Sequence, residues 1–283
     1  MQTFRHILFP VDFSDRSAAA QPLVTAWARR FNAKVTLLHT LQIPISAYGG
    51  PDVFPVIVDV PAMEAGAMKR LERCDIPGAE KIVKTGDPAY EIVHYAESNA
   101  VDLIMMPTHG YGTFRSLLLG SVAAKVLHDA HCPVWTCAHT EDLAGVGSTE
   151  IREILCALEV GAESAGLIRD ANELAGALEA KLRLVHAVPV DETWPEKYLE
   201  GDYAATLIKI GREEVANLQK QAGTNLDACV EGGAAARVVR DAAEKFGADL
   251  LVIGRGKLHK TFGRLRSNGY AIIRDSPCPV LSI

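Results

Sequence analysis

The 283-residue chain has no apolar run near the ~20 residues needed to span a bilayer, and Met1 to His6 lead straight into a strand-like segment without a signal-peptide pattern. A cytoplasmic protein without a membrane partner is therefore expected. Cysteine is scarce: Cys74, Cys132, Cys137, Cys156, Cys229 and Cys278 are too few and too apolar in setting for a disulfide framework, so they read as reduced, mostly buried thiols. An excess of positive charge is also missing. Twenty-nine basic against 35 acidic side chains leave a net charge of −6, which disfavours nucleic acid as a partner held by bulk charge. Disorder is excluded too, because 48 % of the residues are apolar and only 23 % are charged.

What is present is a repeat. Arg5 to Asp12 return as Arg152 to Glu159, and Lys34 to His39 as Lys181 to His186, both at an offset of 147 residues. Further on, Val101 to Met106 pair with Ala248 to Val252 after a one-residue deletion, and Cys132-Pro133-Val134 pairs with Cys278-Pro279-Val280 at 146. A polar, Gly-containing stretch from Thr140 to Glu150 divides the copies, so the domains are expected at residues 1–140 and 151–283. Through Gly147 there are 12 basic and 15 acidic residues, and after it 17 and 20, so neither half is a charged tail.

In the first half, short apolar runs at Ile7–Val11, Val35–His39, Lys81–Val83, Leu103–Met106 and Val134–Cys137 read as buried parallel strands. Helical periodicity predicts helices over Ser14–Arg30, Val60–Arg73, Pro88–Ser98 and Arg115–Asp129, with Ser14 capping the first. This alternation specifies a doubly wound α/β domain, written twice.

Ligands in such sheets sit beyond the carboxyl ends of the strands, where the winding reverses. The turn after the first strand holds Pro10, Val11 and Asp12, and the turn after the fourth runs from Met106 through Pro107, His109 and Gly110. Nine residues separate Gly110 from Gly120, which is followed by Ser121 and Val122. Glycines at both ends of such a loop leave backbone N–H groups free to ring a polyphosphate, Ser121 adds a hydroxyl, and Asp12 suits a ribose hydroxyl or an adenine edge.

Together with Leu38-His39 and Cys132-Pro133-Val134, these residues resemble the universal stress proteins in tandem form, over nearly the whole chain. The resemblance implies a five-stranded sheet of order 3-2-1-4-5 in each domain, dimer-like packing of the two, and ATP, with or without Mg, in the cleft between the first and fourth strands. Carried over by position, Pro10, Val11, Asp12 and Thr40 contact base or ribose, while Met106, His109, Gly110, Gly120, Ser121 and Val122 surround ribose and phosphates. Pro107 stands where the motif has its first glycine. The function implied is ligand-dependent regulation in the stress response. The alternatives are a nucleotide-free interaction module with vestigial clefts, and a slow ATPase.

The second copy departs further. Glu159 replaces Asp12, Gly256 stands opposite Gly110, Arg266 opposite Gly120, and only Ser267 is kept. Its loop carries Arg255, Lys257, Lys260, Arg264 and Arg266, read either as a solvated basic loop or as the contact for an anion or an acidic protein partner. Gly256-Lys257 is no P-loop, since Leu258 follows the lysine.

His128, His131, Cys132, Cys137 and His139 are donor types for zinc, but Cys132 and Cys137 are five apart and face opposite sides of a strand, so no metal site is expected. His39 and His186 end equivalent strands and are expected to be structural. No Ser-His-Asp or Cys-His arrangement can be assembled, so no catalytic residue is assigned and turnover is limited to weak ATP hydrolysis. The connection Leu41–Val60 reads as a lid or mobile loop. In the second copy, Trp194, Tyr198 and Tyr203 are expected to pack between the halves. The fused copies form an intramolecular pseudo-dimer, with homodimerisation open beyond it.

Overall fold

The computed structural model describes residues 4–43, 59–108, 119–137, 150–190, 203–255 and 267–283. The first half runs β1 (His6–Pro10), α1 (Asp15–Phe31), β2 (Lys34–Leu41), α2 (Val60–Leu71), β3 (Glu80–Thr85), α3 (Pro88–Ser98), β4 (Leu103–Pro107), α4 (Ser121–Asp129) and β5 (Val134–Cys137). The second half repeats it: β6 (Glu153–Leu158), α5 (Ser164–Leu178), β7 (Lys181–Val188), α6 (Tyr203–Ala222), β8 (Ala228–Gly232), α7 (Ala235–Phe246), β9 (Leu250–Ile253), α8 (Ser267–Asp275) and β10 (Val280–Ser282).

The strands form one sheet in the order β3-β2-β1-β4-β5-β10-β9-β6-β7-β8. Each half is thus a parallel sheet of order 3-2-1-4-5. The two join through β5 and β10, the antiparallel pair, with Trp135 opposite Leu281. Equivalent bonds start both halves: the Asp102 carboxylate accepts the backbone N–H groups of Arg5 and His6, and Asp249 accepts those of Arg152 and Glu153. The register corrects one reading of the repeat. Ile7 faces Leu103 and Ile154 faces Leu250, so the offset of 147 holds through β9. It is 146 from α8 onward, which puts the deletion in the loop between them.

Alternate strand residues feed two cores. On one face Ile7, Phe9, Met105, Trp135, Ile154 and Leu281 pack with α1, α2, α5 and α6. On the other, Leu8, Ile104, Leu155, Leu251 and Val280 pack with α3, α4, α7 and α8. Both cores cross the seam.

Several predicted ends move. β1 stops at Pro10, because Val11 begins the turn, while β2 and β3 run longer than their apolar centres. Ser14 caps α1 as expected, its hydroxyl accepting from Ser17 N–H at 3.2 Å. Helix α4 begins at Ser121, not Arg115, and Gly120 is its N-cap. Cys137, Cys156 and Cys278 are buried and Cys74, Cys132 and Cys229 only partly so; all six are free thiols. Burial pushes Cys156 up to about 12 and Cys132 and Cys278 up to about 11. Tyr203 opens α6 half exposed and is not buried between the halves, whereas Trp194 and Tyr198 lie outside the described residues. Most of the Leu41–Val60 connection lies outside them too. No described helix is long and apolar enough to cross a membrane.

Candidate functional site

Parallel pairing of β1 with β4 and outward progression to β2 and β5 put the reversal of winding between β1 and β4. Pro10, Val11 and Asp12 leave β1 beside Met106 and Pro107 of β4. Val11 and Met106 are buried, one in each core, so these two fix the floor with their side chains. Thr40 lies on β2 opposite Lys84 of β3, one strand further out.

The turn after β1 is held from within. Asp12 Oδ1 accepts the Ser14 backbone N–H at 2.9 Å and its hydroxyl at 2.6 Å, while the same hydroxyl oxygen caps α1. This leaves Asp12 Oδ2 for a further donor. Between them, Phe13 sits at φ 64°, a left-handed conformation that costs an L-residue about 1–2 kcal/mol. Its ring compensates by packing against His39, with centroids 4.3 Å apart, and against the Arg70 guanidinium, 4.0 Å from the ring centroid. Neither Phe13 nor Arg70 was a candidate from sequence; the Asp-Phe-Ser triplet was the available signal.

His39 does what a strand-end histidine was expected to do. Its Nδ1 donates to the Val11 carbonyl at 2.7 Å, and in the second copy His186 Nδ1 donates to the Leu158 carbonyl at 2.9 Å. Burial, opposed by that hydrogen bond and reinforced by Arg70, lowers the His39 pKa, so the ring is neutral at pH 7.

On the β4 side, Thr108 is buried and both its N–H and its hydroxyl donate to the Cys137 carbonyl. Its own carbonyl accepts the Gly120 N–H at 2.9 Å, which ties together the two ends of the segment that carries His109 and Gly110. Those two residues lie outside the described ones. Gly120 gives α4 no side-chain cap, and the first intrahelical bond is Ala124 N–H to the Gly120 carbonyl. The N–H groups of Ser121, Val122 and Ala123 therefore have no helical acceptor, and Ser121 is exposed. Uncapped N–H groups on one side and a half-engaged carboxylate on the other fit a molecule with an anionic end and a hydroxyl-bearing end. Pro107 adds a carbonyl but no N–H.

The second cleft is built differently. Glu159 is exposed, and its backbone carbonyl, not its carboxylate, accepts the Ser164 hydroxyl. At the offset of 147, Gly254 takes the place of Pro107. A Cβ there would lie 3.0 Å from Leu167 Cδ2, and Leu167 stands where the first copy has Ala20, so a larger side chain packs against this strand end. Arg255 takes the place of Thr108 and is no part of an exposed basic loop. It reaches across the seam, donating from Nη1 to the Ala130 carbonyl at 2.6 Å and from Nε to the Ser282 hydroxyl at 3.3 Å. Burial pushes its pKa down to about 10, leaving a partly buried cation at pH 7. Residues 256–266, with Gly256, Lys257, Lys260, Arg264 and Arg266, lie outside the described residues, and Ser267 opens α8.

Of the residues weighed as zinc donors and set aside, His128 Nδ1 bonds the Asp129 carboxylate at 2.6 Å and His131 pairs with Glu97, while His139 lies outside the described residues. A groove of about 430 Å³ lined by Asn172, Gly176, Lys181, Asn225 and Asp227 opens at the amino ends of β7 and β8, away from both switch points.

The universal stress protein family model matches residues 3–137 and again residues 150–283. A universal stress protein of Methanocaldococcus jannaschii, MJ0531, is 32 % identical over 138 residues, 46 % of this chain and 80 % of that protein. One from Thermus aquaticus is 31 % identical over 142 residues, 46 % of this chain and 96 % of that protein. Among solved structures, a universal stress protein from Archaeoglobus fulgidus covers 99 % of this chain and 97 % of its own at a TM-score of 0.66 and 21 % identity, a likeness of fold. With both halves matched by the same model and both folded alike, the chain belongs to the universal stress protein family, as a tandem of two such domains.

Proposed function

We propose that the first domain, residues 1–140, binds ATP or a related adenine nucleotide at the carboxyl ends of β1 and β4, and that its occupancy regulates the protein in the stress response. The observation that carries this is the pairing of the uncapped α4 N-terminus at Gly120 with the half-engaged Asp12 carboxylate across the switch point. Phosphates would take the N–H groups of Ser121 and Val122 and the Ser121 hydroxyl, with His109 and Gly110 closing over them. Asp12 Oδ2 would take a ribose hydroxyl or the base edge, flanked by Pro10, Val11, Thr40 and Met106. Any magnesium would ride on the phosphates, since among the described residues no cluster of three His, Cys, Asp or Glu is placed to hold a metal.

The second domain, residues 151–283, is read as a degenerate copy: Leu167 packs against its strand end, and Arg266 stands where Gly120 is needed. With Arg255 withdrawn into the seam, Lys257, Lys260, Arg264 and Arg266 are the cations left for an acidic protein partner. Pro107 favours a second reading, a nucleotide-free interaction module, because it removes one N–H from the phosphate loop.

Acid release of the purified protein followed by chromatography separates the two. About one equivalent of adenine nucleotide per chain is expected, whereas none, together with no ATP binding by calorimetry, rejects the nucleotide reading. Gly120→Arg, which copies the second domain's residue into the first, is expected to abolish binding, and unchanged affinity would reject the phosphate assignment.

A further inference from the structure

We propose that Arg70 is a positioning residue for the first domain's nucleotide site, pinning the Asp12–Ser14 turn from helix α2 through the ring of Phe13. The inference rests on the nucleotide reading and adds to it a residue outside both strand-end turns.

Three observations converge on it. Phe13 holds a left-handed backbone at φ 64°, which a bulky side chain keeps only when its surroundings impose it. The surroundings are the Arg70 guanidinium, 4.0 Å from the ring centroid, and the His39 ring, tilted by 42° at a centroid distance of 4.3 Å. His39 is anchored in turn, because it donates to the carbonyl of Val11, one residue before Asp12. A restraint from α2 therefore passes through Phe13 and His39 to both flanks of Asp12, whose Oδ1 closes the turn on Ser14. The charged groups acting on His39 are Arg70, which lowers its pKa, and Asp12, which raises it.

The second copy separates what the fold needs from what the site needs. His186 keeps the strand-end hydrogen bond to Leu158, so that bond serves the fold. At the offset of 147, however, Phe13 becomes Val160 and Arg70 becomes Asn217, so the second domain has neither the ring nor the cation. The ring-and-cation contact therefore belongs to the first domain and not to the sheet that both domains share.

The test uses the full chain with Arg70→Met, which keeps length and removes charge, and Arg70→Lys, which keeps a cation. Amide hydrogen exchange at Ser14, measured without nucleotide, reports the turn, and calorimetry with ATP reports the site. Arg70→Met is expected to speed Ser14 exchange and raise the His39 pKa in an NMR titration, and to weaken ATP binding about two- to fivefold, the range of an exposed cation–π contact. Arg70→Lys is expected to restore most of both. ATP affinity unchanged in Arg70→Met overturns the proposal even if exchange speeds up. Weaker affinity with Ser14 exchange unchanged overturns it as well, since Arg70 would then act on the ligand directly. No ATP binding by the unaltered protein overturns the nucleotide reading itself and the role assigned to Arg70 with it.

Discussion

His39 and His186 occupy the same strand end and make the same bond to the turn of the neighbouring strand, yet among the described residues only the first stands beside a phenyl ring and a guanidinium. Burial, the main cause, and Arg70 together hold the His39 pKa below its ordinary 6.5. A histidine that is harder to protonate when folded contributes stability that is full above the unfolded value of 6.5 and is lost as pH falls through the folded value. Urea unfolding between pH 8 and pH 5 is therefore expected to show the native protein losing stability below about pH 6.5, the ordinary histidine range. His39→Asn, whose amide can take over the bond to Val11, is expected to flatten that part of the curve. An equal slope in both proteins would show that His39 takes no part in it.

At the level of elements, α4 decides how the site is read. Its start at Ser121 leaves Gly120 at φ −58° and ψ 143°, backbone angles open to any residue, so the backbone itself admits an aspartate cap. Gly120→Asp is expected to add a few tenths of a kcal/mol to stability by bonding the free N–H groups of the first turn, and to remove nucleotide binding by placing a carboxylate where phosphate would sit. Thermal unfolding and ATP calorimetry on the same sample check both signs; a variant that gains stability and still binds ATP would dissociate the helix end from the ligand.

The strands were legible because each buried strand is a short apolar run and the chain presents the pattern twice, whereas their order came only with the family resemblance, since an apolar run does not say which strand lies beside it. The start of α4 was not, because Leu117, Leu118 and Leu119 continue the helical period up to Gly120. Asp12 and Ser121 could be found from their place beside strand ends. Phe13 and Arg70 could not, since nothing in the sequence brings residue 70 over residue 13. Arg255 was misread for a related reason: a cation after a strand looks solvated until the partner domain is placed against it.

The whole molecule is organised by the seam. Thr136 donates its hydroxyl to the Val280 carbonyl and Ser282 donates its own to the Val134 carbonyl, a reciprocal pair as in a two-fold interface. Farther out, Arg30 of α1 donates to the Ala177 carbonyl at the end of α5 and pairs with Glu179 at 2.7 Å. Exposed ion pairs of this kind contribute little, about 0–1 kcal/mol, so the cohesion lies in the two cores that cross from one domain to the other. Trp135 and Leu281, register partners at the seam and both fully buried, belong to the same core as Trp27 and Ile168. Scanning calorimetry is therefore expected to give a single transition whose calorimetric and van't Hoff enthalpies agree. Leu281→Ala, costing about 2–5 kcal/mol as a large-to-small core change, is expected to lower that one transition without splitting it. Two separate transitions, with only the second domain's shifted by Leu281→Ala, would mean that the halves are independent folding units that only touch at β5 and β10.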